Sequence, residues 1–175
     1  MLIRLGVTAD IPRIQNLVGD VGLFEPGDEL AGFRVMISEH LAEDSTSAED
    51  NRWAVGFDGA TDDPNKCNLI GGAYYAPEQF AEGVTNLYFI ASRPDVRGKG
   101  IGSALLQFVE NDCKERGIRM LIVETSGKEE FEQTRNFYKK NHYEEEGTIR
   151  DYYSFGDDKV IFRKLLIPPP SASKK

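Results

Sequence analysis

The sequence is short of the residues that would set it apart from ordinary globular proteins. It has two cysteines in 175 residues, Cys67 and Cys113, with no Cys-x-x-Cys and no histidine nearby. Neither a disulfide framework nor a zinc site is suggested, and the expected setting is a reducing compartment, the cytoplasm. Histidine is equally scarce, at His40 and His142. No stretch approaches the roughly 20 apolar residues of a membrane span, and the opening Met1 to Pro12 lacks the long apolar segment of a secretory signal. Positive charge is in deficit as well, with 21 Lys and Arg against 29 Asp and Glu and a net charge of -8. That balance disfavours nucleic acid as a partner, because such affinity comes from Lys and Arg on phosphates, and it suits solubility or a cationic partner.

What is present is ordinary: 40% hydrophobic and 29% charged residues, the composition of a chain that folds around one core. The length fits one domain, expected over residues 1–167, with a polar, proline-led tail over 168–175 expected to be disordered. Leu2, Ile3 and Leu5 form a short strand ending in Gly6. Thr8 is expected to cap a first helix carrying Ile11, Ile14, Leu17 and Val18 on one face, and Leu30, Phe33, Ile37 and Leu41 mark a second. The polar run Glu43 to Asp50 reads as a loop. Trp53 to Phe57 and Asn68 to Tyr75 read as an antiparallel pair, and Asn86 to Ala91 as a central strand ended by Pro94. A helix from Ile101 to Gly117, a strand over Met120 to Val123, a helix over Phe131 to Lys140 with Phe137 on its apolar side, and two strands around a turn at Gly156 to Asp158 complete an α/β order without repeats.

The most informative segment is Arg97-Gly-Lys-Gly-Ile-Gly-Ser103, which joins the central strand to a helix. Free amides and the positive dipole end of a helix favour an anion there, and phosphate is the natural ligand. Gly98, Gly100 and Gly102 allow close backbone approach, while Arg97, Lys99 and the Ser103 hydroxyl add charge and a donor. The competing reading is a strand-to-helix turn whose glycines only satisfy geometry. A P-loop would end in Gly-Lys-Ser/Thr after a longer gap, and a dinucleotide fold would place its glycines after the first strand; neither fits.

With Arg97, Gly100 and Gly102 matching Arg or Gln, two residues, Gly, one residue, Gly or Ala, the segment resembles the acetyl-coenzyme A signature of the GNAT family of N-acetyltransferases. The resemblance runs through nearly the whole chain, to Phe137-Tyr138 and the final strand pair. It implies a central mixed, mostly antiparallel sheet of about seven strands flanked by about four helices. It also implies acetyl-coenzyme A as cosubstrate with no metal, Ile90 and Ala91 backbone groups on the pantetheine, and amides of Arg97, Gly98, Lys99, Gly100, Ile101, Gly102 and Ser103 around the pyrophosphate. Tyr138 matches the family's tyrosine that protonates the coenzyme A sulfur, with a lesser reading as a cofactor-holding residue. His142 departs from the pattern by standing where glycine is usual, so the bend there is expected to differ; a surface or structural role is expected of it, with proton shuttling by the imidazole as the alternative.

Transfer to an amine needs a proton acceptor. Glu124, ending the strand from Met120, matches a glutamate used by a branch of the family that acetylates protein N-termini, and burial can raise its proton affinity. Its competing readings are binding the cationic amine or capping the next turn, with water carrying the proton. Where other relatives place a glutamate before the glycine loop, this chain has Thr85 and Asn86. His40 is expected to be structural, favoured by its helix C-terminus. Glu25, Asp28 and Glu29, with Tyr74, Tyr75, Tyr152 and Tyr153, are candidates for selecting the acceptor, and Arg150-Asp-Tyr-Tyr153 loosely resembles the hairpin of the N-terminal acetylating branch. The resulting expectation is an acetyl-coenzyme A dependent N-acetyltransferase acting on a primary amine of a small molecule or peptide, with no membrane or nucleic-acid partner. Its rivals are a coenzyme A binding sensor without transfer activity and a relative using another acyl donor. Family members often pair as homodimers. The sequence leaves the acceptor open.

Overall fold

Short runs rich in β-branched and aromatic residues become seven strands, and the two early apolar faces become helices. The computed structural model describes residues 1–23, 27–42, 51–63 and 65–168. Glu25, the loop expected over Glu43 to Asp50 and all but the first residue of the expected tail lie outside the described residues. The strands form one sheet ordered β1-β2-β3-β4-β5-β7-β6, mixed because β4 and β5 pair parallel while the other described pairings are antiparallel. By its contacts the chain divides into two units, one of Met1–Ala76 with Tyr88–Val109 and one of Pro77–Leu87 with Glu110–Lys175.

In the first unit, β1 (Leu2–Leu5) pairs with β2 (Arg52–Phe57), and β2 with β3 (Leu69–Pro77). The first helix, α1 (Ile11–Val21), buries Ile14, Leu17, Val18 and Val21, the 3.6-residue stripe of its sequence, and Gly22 ends it at a φ of 66°. Its entry differs from the expected Thr8 cap. A 3-10 turn over Thr8–Asp10 comes first, and the Thr8 hydroxyl donates instead to the Leu41 carbonyl at 2.6 Å. Asp10, three residues past Val7, accepts the Val7 N–H at 2.9 Å and pairs with Arg4 at 2.6 Å. The second helix, α2 (Asp28–Leu41), buries Ile37 and Leu41. Both helices close over Trp53, Val55, Phe57, Tyr74 and Phe89; each fully buried aliphatic side chain stabilises this core by about 1.5–3 kcal/mol.

Glycine shapes the seat of the next helix. An added Cβ on Gly71 would meet Ile101 Cγ2 and Leu105 Cδ1 at 2.9 Å, and Ala91 O at 3.0 Å. The missing side chain therefore lets the start of α3 (Ile101–Glu115) lie against β3, beside the second half of β4 (Val84–Ser92).

In the second unit, β5 (Met120–Ser126) and β7 (Asp157–Leu165) pair in unbroken register from Met120↔Leu165 to Ser126↔Lys159. The parallel register of β4 on β5 runs over Val84–Asn86 with Met120–Ile122. The fourth helix, α4 (Glu132–Lys140), opens with a 3-10 turn over Glu129–Phe131, so it begins one residue later than expected. Tyr138, not Phe137, is its buried aromatic, because Tyr138 is the residue that meets Tyr143 and Phe162. The hairpin of β6 (Glu144–Ser154) and β7 turns at Phe155 and Gly156, with Ser154↔Asp157 closing it. The turn expected over Gly156 to Asp158 is thus shifted, since Asp157 already belongs to β7, and Gly156 alone takes a left-handed φ of 80°.

Candidate functional site

The glycine loop lies in the first unit. After β4, a 3-10 turn over Pro94–Val96 delivers Arg97. Gly98 and Gly100 have φ of 77° and 80°, the region glycine enters without steric cost. No atom lies within 4 Å of a Cβ built on either, so their need for glycine is dihedral and the space beside them is open. Arg97 to Gly100 and Ser103 are exposed. The Ala104 N–H donates to the Gly100 carbonyl at 3.0 Å, so the amides ahead of it stand at the helix mouth, where an anion is favoured. Ile101 differs from its neighbours: its side chain is buried against β3, leaving only its backbone for a ligand. Ile90 and Ala91 are half-buried on β4, beyond the three residues of that strand in register with β5. This open cradle of amides, with Arg97 and Lys99 in it, fits the diphosphate of a coenzyme A type ligand.

Tyr138 lies in the second unit, 4% exposed, with ring centroids of Phe137, Tyr143 and Phe162 at 5.2, 5.7 and 5.7 Å. Burial raises its pKa well above the ordinary tyrosine range and keeps the phenol protonated. His142 is exposed, at a φ of 65°. It occupies the left-handed position after α4, where Asn141, His142 and Tyr143 amides donate to the last helical carbonyls. Glycine is favoured at such a φ for conformational reasons, so the chain turns here with a strained residue.

The strand expected to end at Glu124 runs on to Ser126, because Thr125 and Ser126 keep the register with β7; Glu124 therefore lies within β5, part-exposed, and its Oε2 lies 2.8 Å from Lys159 Nζ. Sequence reasoning missed Lys159, which stands between the expected turn at Gly156 to Asp158 and the expected strand from Val160, whereas β7 already begins at Asp157. Its ammonium also lies 3.5 Å from the centroid of the Tyr152 ring. Burial pulls the Lys159 pKa down, but hydrogen bonds to Glu124 and Tyr152 outweigh it, and the net shift is upward. Beside it, Ser126 donates to the Asp157 carboxylate, which also pairs with Lys128 at 3.3 Å. The bond to the Ser126 hydroxyl, set against burial, holds Asp157 below the usual carboxylate range.

The other expected residues separate. Thr85 and Asn86 are buried; the Asn86 side-chain amide donates to Glu78 Oε2 at 3.3 Å, while Thr85 Oγ1 and Asn86 Oδ1 find no hydrogen-bond partner among the described residues. Tyr75 is wholly in the core, and Tyr74 is buried with its hydroxyl on Asn51 Oδ1 at 3.0 Å. Tyr152, Tyr153, Asp28 and Glu29 are exposed. His40 stacks on Tyr74 with centroids 5.2 Å apart, and burial lowers its pKa. It is therefore a packing residue, in keeping with the structural role expected of it.

The family model described as Acetyltransferase (GNAT) family matches residues 24–143. Among solved structures, a protein assigned to the GNAT acetyltransferase family from Desulfovibrio desulfuricans is 30% identical, with 95% of this chain and 99% of that one covered and a TM-score of 0.82. An aminoglycoside 6'-N-acetyltransferase complexed with coenzyme A is 16% identical over 98% and 100% of the two chains, with a TM-score of 0.76. The ribosomal-protein-S18-alanine N-acetyltransferase from Escherichia coli is 17% identical over 99% of each chain, with a TM-score of 0.71. No curated protein matches the chain.

Proposed function

The chain belongs to the GNAT acetyltransferase family, and from that premise we propose that it moves an acetyl group from acetyl-coenzyme A directly onto a primary amine of a small molecule or peptide, with residues 1–167 acting as one transferase domain. The observation that carries this reading is the exposed amide cradle at the start of α3, whose Gly98 and Gly100 hold conformations that side chains resist. Acetyl-coenzyme A supplies a thioester, an acetyl group on a good leaving group. Arg97, Gly98, Lys99, Gly100, Gly102 and Ser103, with the Ile101 backbone, bind the diphosphate, and backbone groups of Ile90 and Ala91 hold the pantetheine arm. Tyr138, kept protonated by burial, donates its proton to the departing sulfur. Glu124 serves the acceptor, drawing in the amine and receiving its proton directly or through one water. The free, buried Cys67 and Cys113 suit a reducing cytoplasm.

The test is coenzyme A release from acetyl-coenzyme A across polyamines, amino acids, aminoglycosides and short peptides, with Tyr138→Phe alongside. Turnover with one acceptor class is expected, with kcat reduced about 10²-fold in Tyr138→Phe and coenzyme A affinity unchanged. Tight coenzyme A binding without turnover of any amine would favour a sensor, turnover with another acyl donor alone would replace acetyl as the group moved, and absence of binding would remove the reading altogether.

A further inference from the structure

Lys159 is 6% exposed on β7, a position where an ammonium is costly without partners. It has two, from two different strands: Glu124 Oε2 of β5 at 2.8 Å and the face of Tyr152 of β6 at 3.5 Å. Tyr152 is brought there by a built irregularity. Between the pairs Ile149↔Lys159 and Ser154↔Asp157, the four residues 150–153 of β6 stand opposite Asp158 alone. Asp151 takes a φ of 55°, its amide donates to Asp158 Oδ1 at 2.9 Å, and the Gly156 amide donates to Asp151 Oδ1 at 2.7 Å. The bulge is thus pinned by two carboxylates, and it presents Tyr152 and Tyr153 as a T-shaped pair with centroids 5.1 Å apart, each about half exposed.

We propose that Lys159 is a positioning residue for the amine end of the reaction, clamped between Glu124 and Tyr152 so that it fixes the orientation of the Glu124 side chain and, as a neighbouring cation, favours the acceptor in its neutral form. The inference rests on the transfer reading given above and on Glu124 as the carboxylate that meets the acceptor. With Oε2 engaged by Lys159, the other Glu124 oxygen is left for the acceptor. A second cation beside the ammonium is repelled, so Lys159 lowers the proton affinity of an amine bound there. The neutral amine is the form that attacks a thioester. Among the described residues, the charged and titratable groups facing the pair are Tyr152 and Tyr153 from β6, with Asp157 on β7 acting on Tyr153 while bonded to Ser126 and Lys128.

The experiment uses the full chain with Lys159→Met, Lys159→Arg, Glu124→Gln and the Lys159→Met/Glu124→Gln double variant. A double-mutant cycle on denaturant unfolding, which needs no activity, is expected to be strongly non-additive; additive midpoints would show that the pair is not formed and would overturn the proposal. In turnover, Lys159→Met is expected to move the acid limb of kcat, which reports the bound amine, upward by about one pH unit, with coenzyme A affinity unchanged, and Lys159→Arg to keep the wild-type limb. Coincident profiles for Lys159→Met and wild type would leave a merely structural pair and also overturn it. Should Lys159→Met fail to fold, the half-exposed Tyr152→Leu tests the other side of the clamp through a raised acceptor KM, and an unchanged KM counts against the proposal. If wild type binds coenzyme A and turns over no amine, the transfer reading fails and the role of Lys159 with it, while the unfolding cycle still reports on the pair.

Discussion

At His142 the backbone turns through the left-handed region with a side chain attached, at a φ of 65°. Nothing else about the residue demands histidine: it is exposed, and its amide does the work of ending α4 by donating to the Lys139 carbonyl at 3.0 Å. Strain of this kind costs about 1–2 kcal/mol, partly offset by the greater unfolded-state freedom of glycine. His142→Gly is therefore expected to stabilise the protein by about 0.5–1 kcal/mol, measured by denaturant unfolding, and to leave coenzyme A affinity unchanged. The departure from the family pattern was legible in the sequence. That the residue turns through a left-handed φ and accepts the strain was not, because dihedral angles at a helix end depend on which carbonyls the following amides must reach.

Elements are held by side chains whose importance their sequence neighbourhood hides. Gly71 and Gly98 make the contrast. At Gly71 a methyl group would collide with Ile101, Leu105 and the Ala91 carbonyl at 3.0 Å or less, so Gly71→Ala is expected to push α3 off β3 and cost about 1–3 kcal/mol. Gly98→Ala meets no atom within 4 Å and is penalised only through its φ of 77°, by about 1–2 kcal/mol. Both changes are expected to weaken coenzyme A binding in calorimetry, Gly71→Ala by moving the helix mouth and Gly98→Ala by turning the amides. The first glycine sits in an ordinary apolar strand and gave no signal, whereas the second stood in a recognisable loop. In the second unit, Glu110 of α3 is a buried acid in an apolar helix face. Lys164 Nζ reaches its two oxygens at 2.8 and 2.9 Å and the Tyr143 hydroxyl donates to it at 3.3 Å. Glu110→Ala strands the Lys164 ammonium, which is only partly exposed, and is expected to cost about 2–4 kcal/mol, seen as a lower denaturant midpoint with an unchanged slope.

For the molecule as a whole, buried phenols set an alkaline limit. Burial pushes Tyr74 up to about 12 and Tyr138 and Tyr143 further still, with Glu110 adding to the shift at Tyr143. Because their folded pKa values lie above the unfolded value of 10.0, the stability they contribute is complete below pH 10 and is lost as pH climbs through their folded values. Tm is accordingly expected to fall once pH passes 10, with tyrosinate absorbance from these side chains appearing together with unfolding; their ionisation in a still-folded chain near pH 10 would contradict the assignment.

The sequence by itself determined the type of nearly every element, the order of helices and strands, and the glycine loop with its family resemblance. These are local properties: apolar periodicity, positive-φ residues, and charges carried on contiguous positions. Tertiary structure decided what local pattern cannot carry. It placed Asp10 instead of Thr8 at the entry to α1, buried Tyr138 in preference to Phe137, stacked His40 on Tyr74, and brought Lys159 of β7 onto Glu124, 35 residues earlier in the chain. Each of those outcomes turns on which surfaces desolvate together and which charges meet inside them. That is fixed only when distant strands come into register.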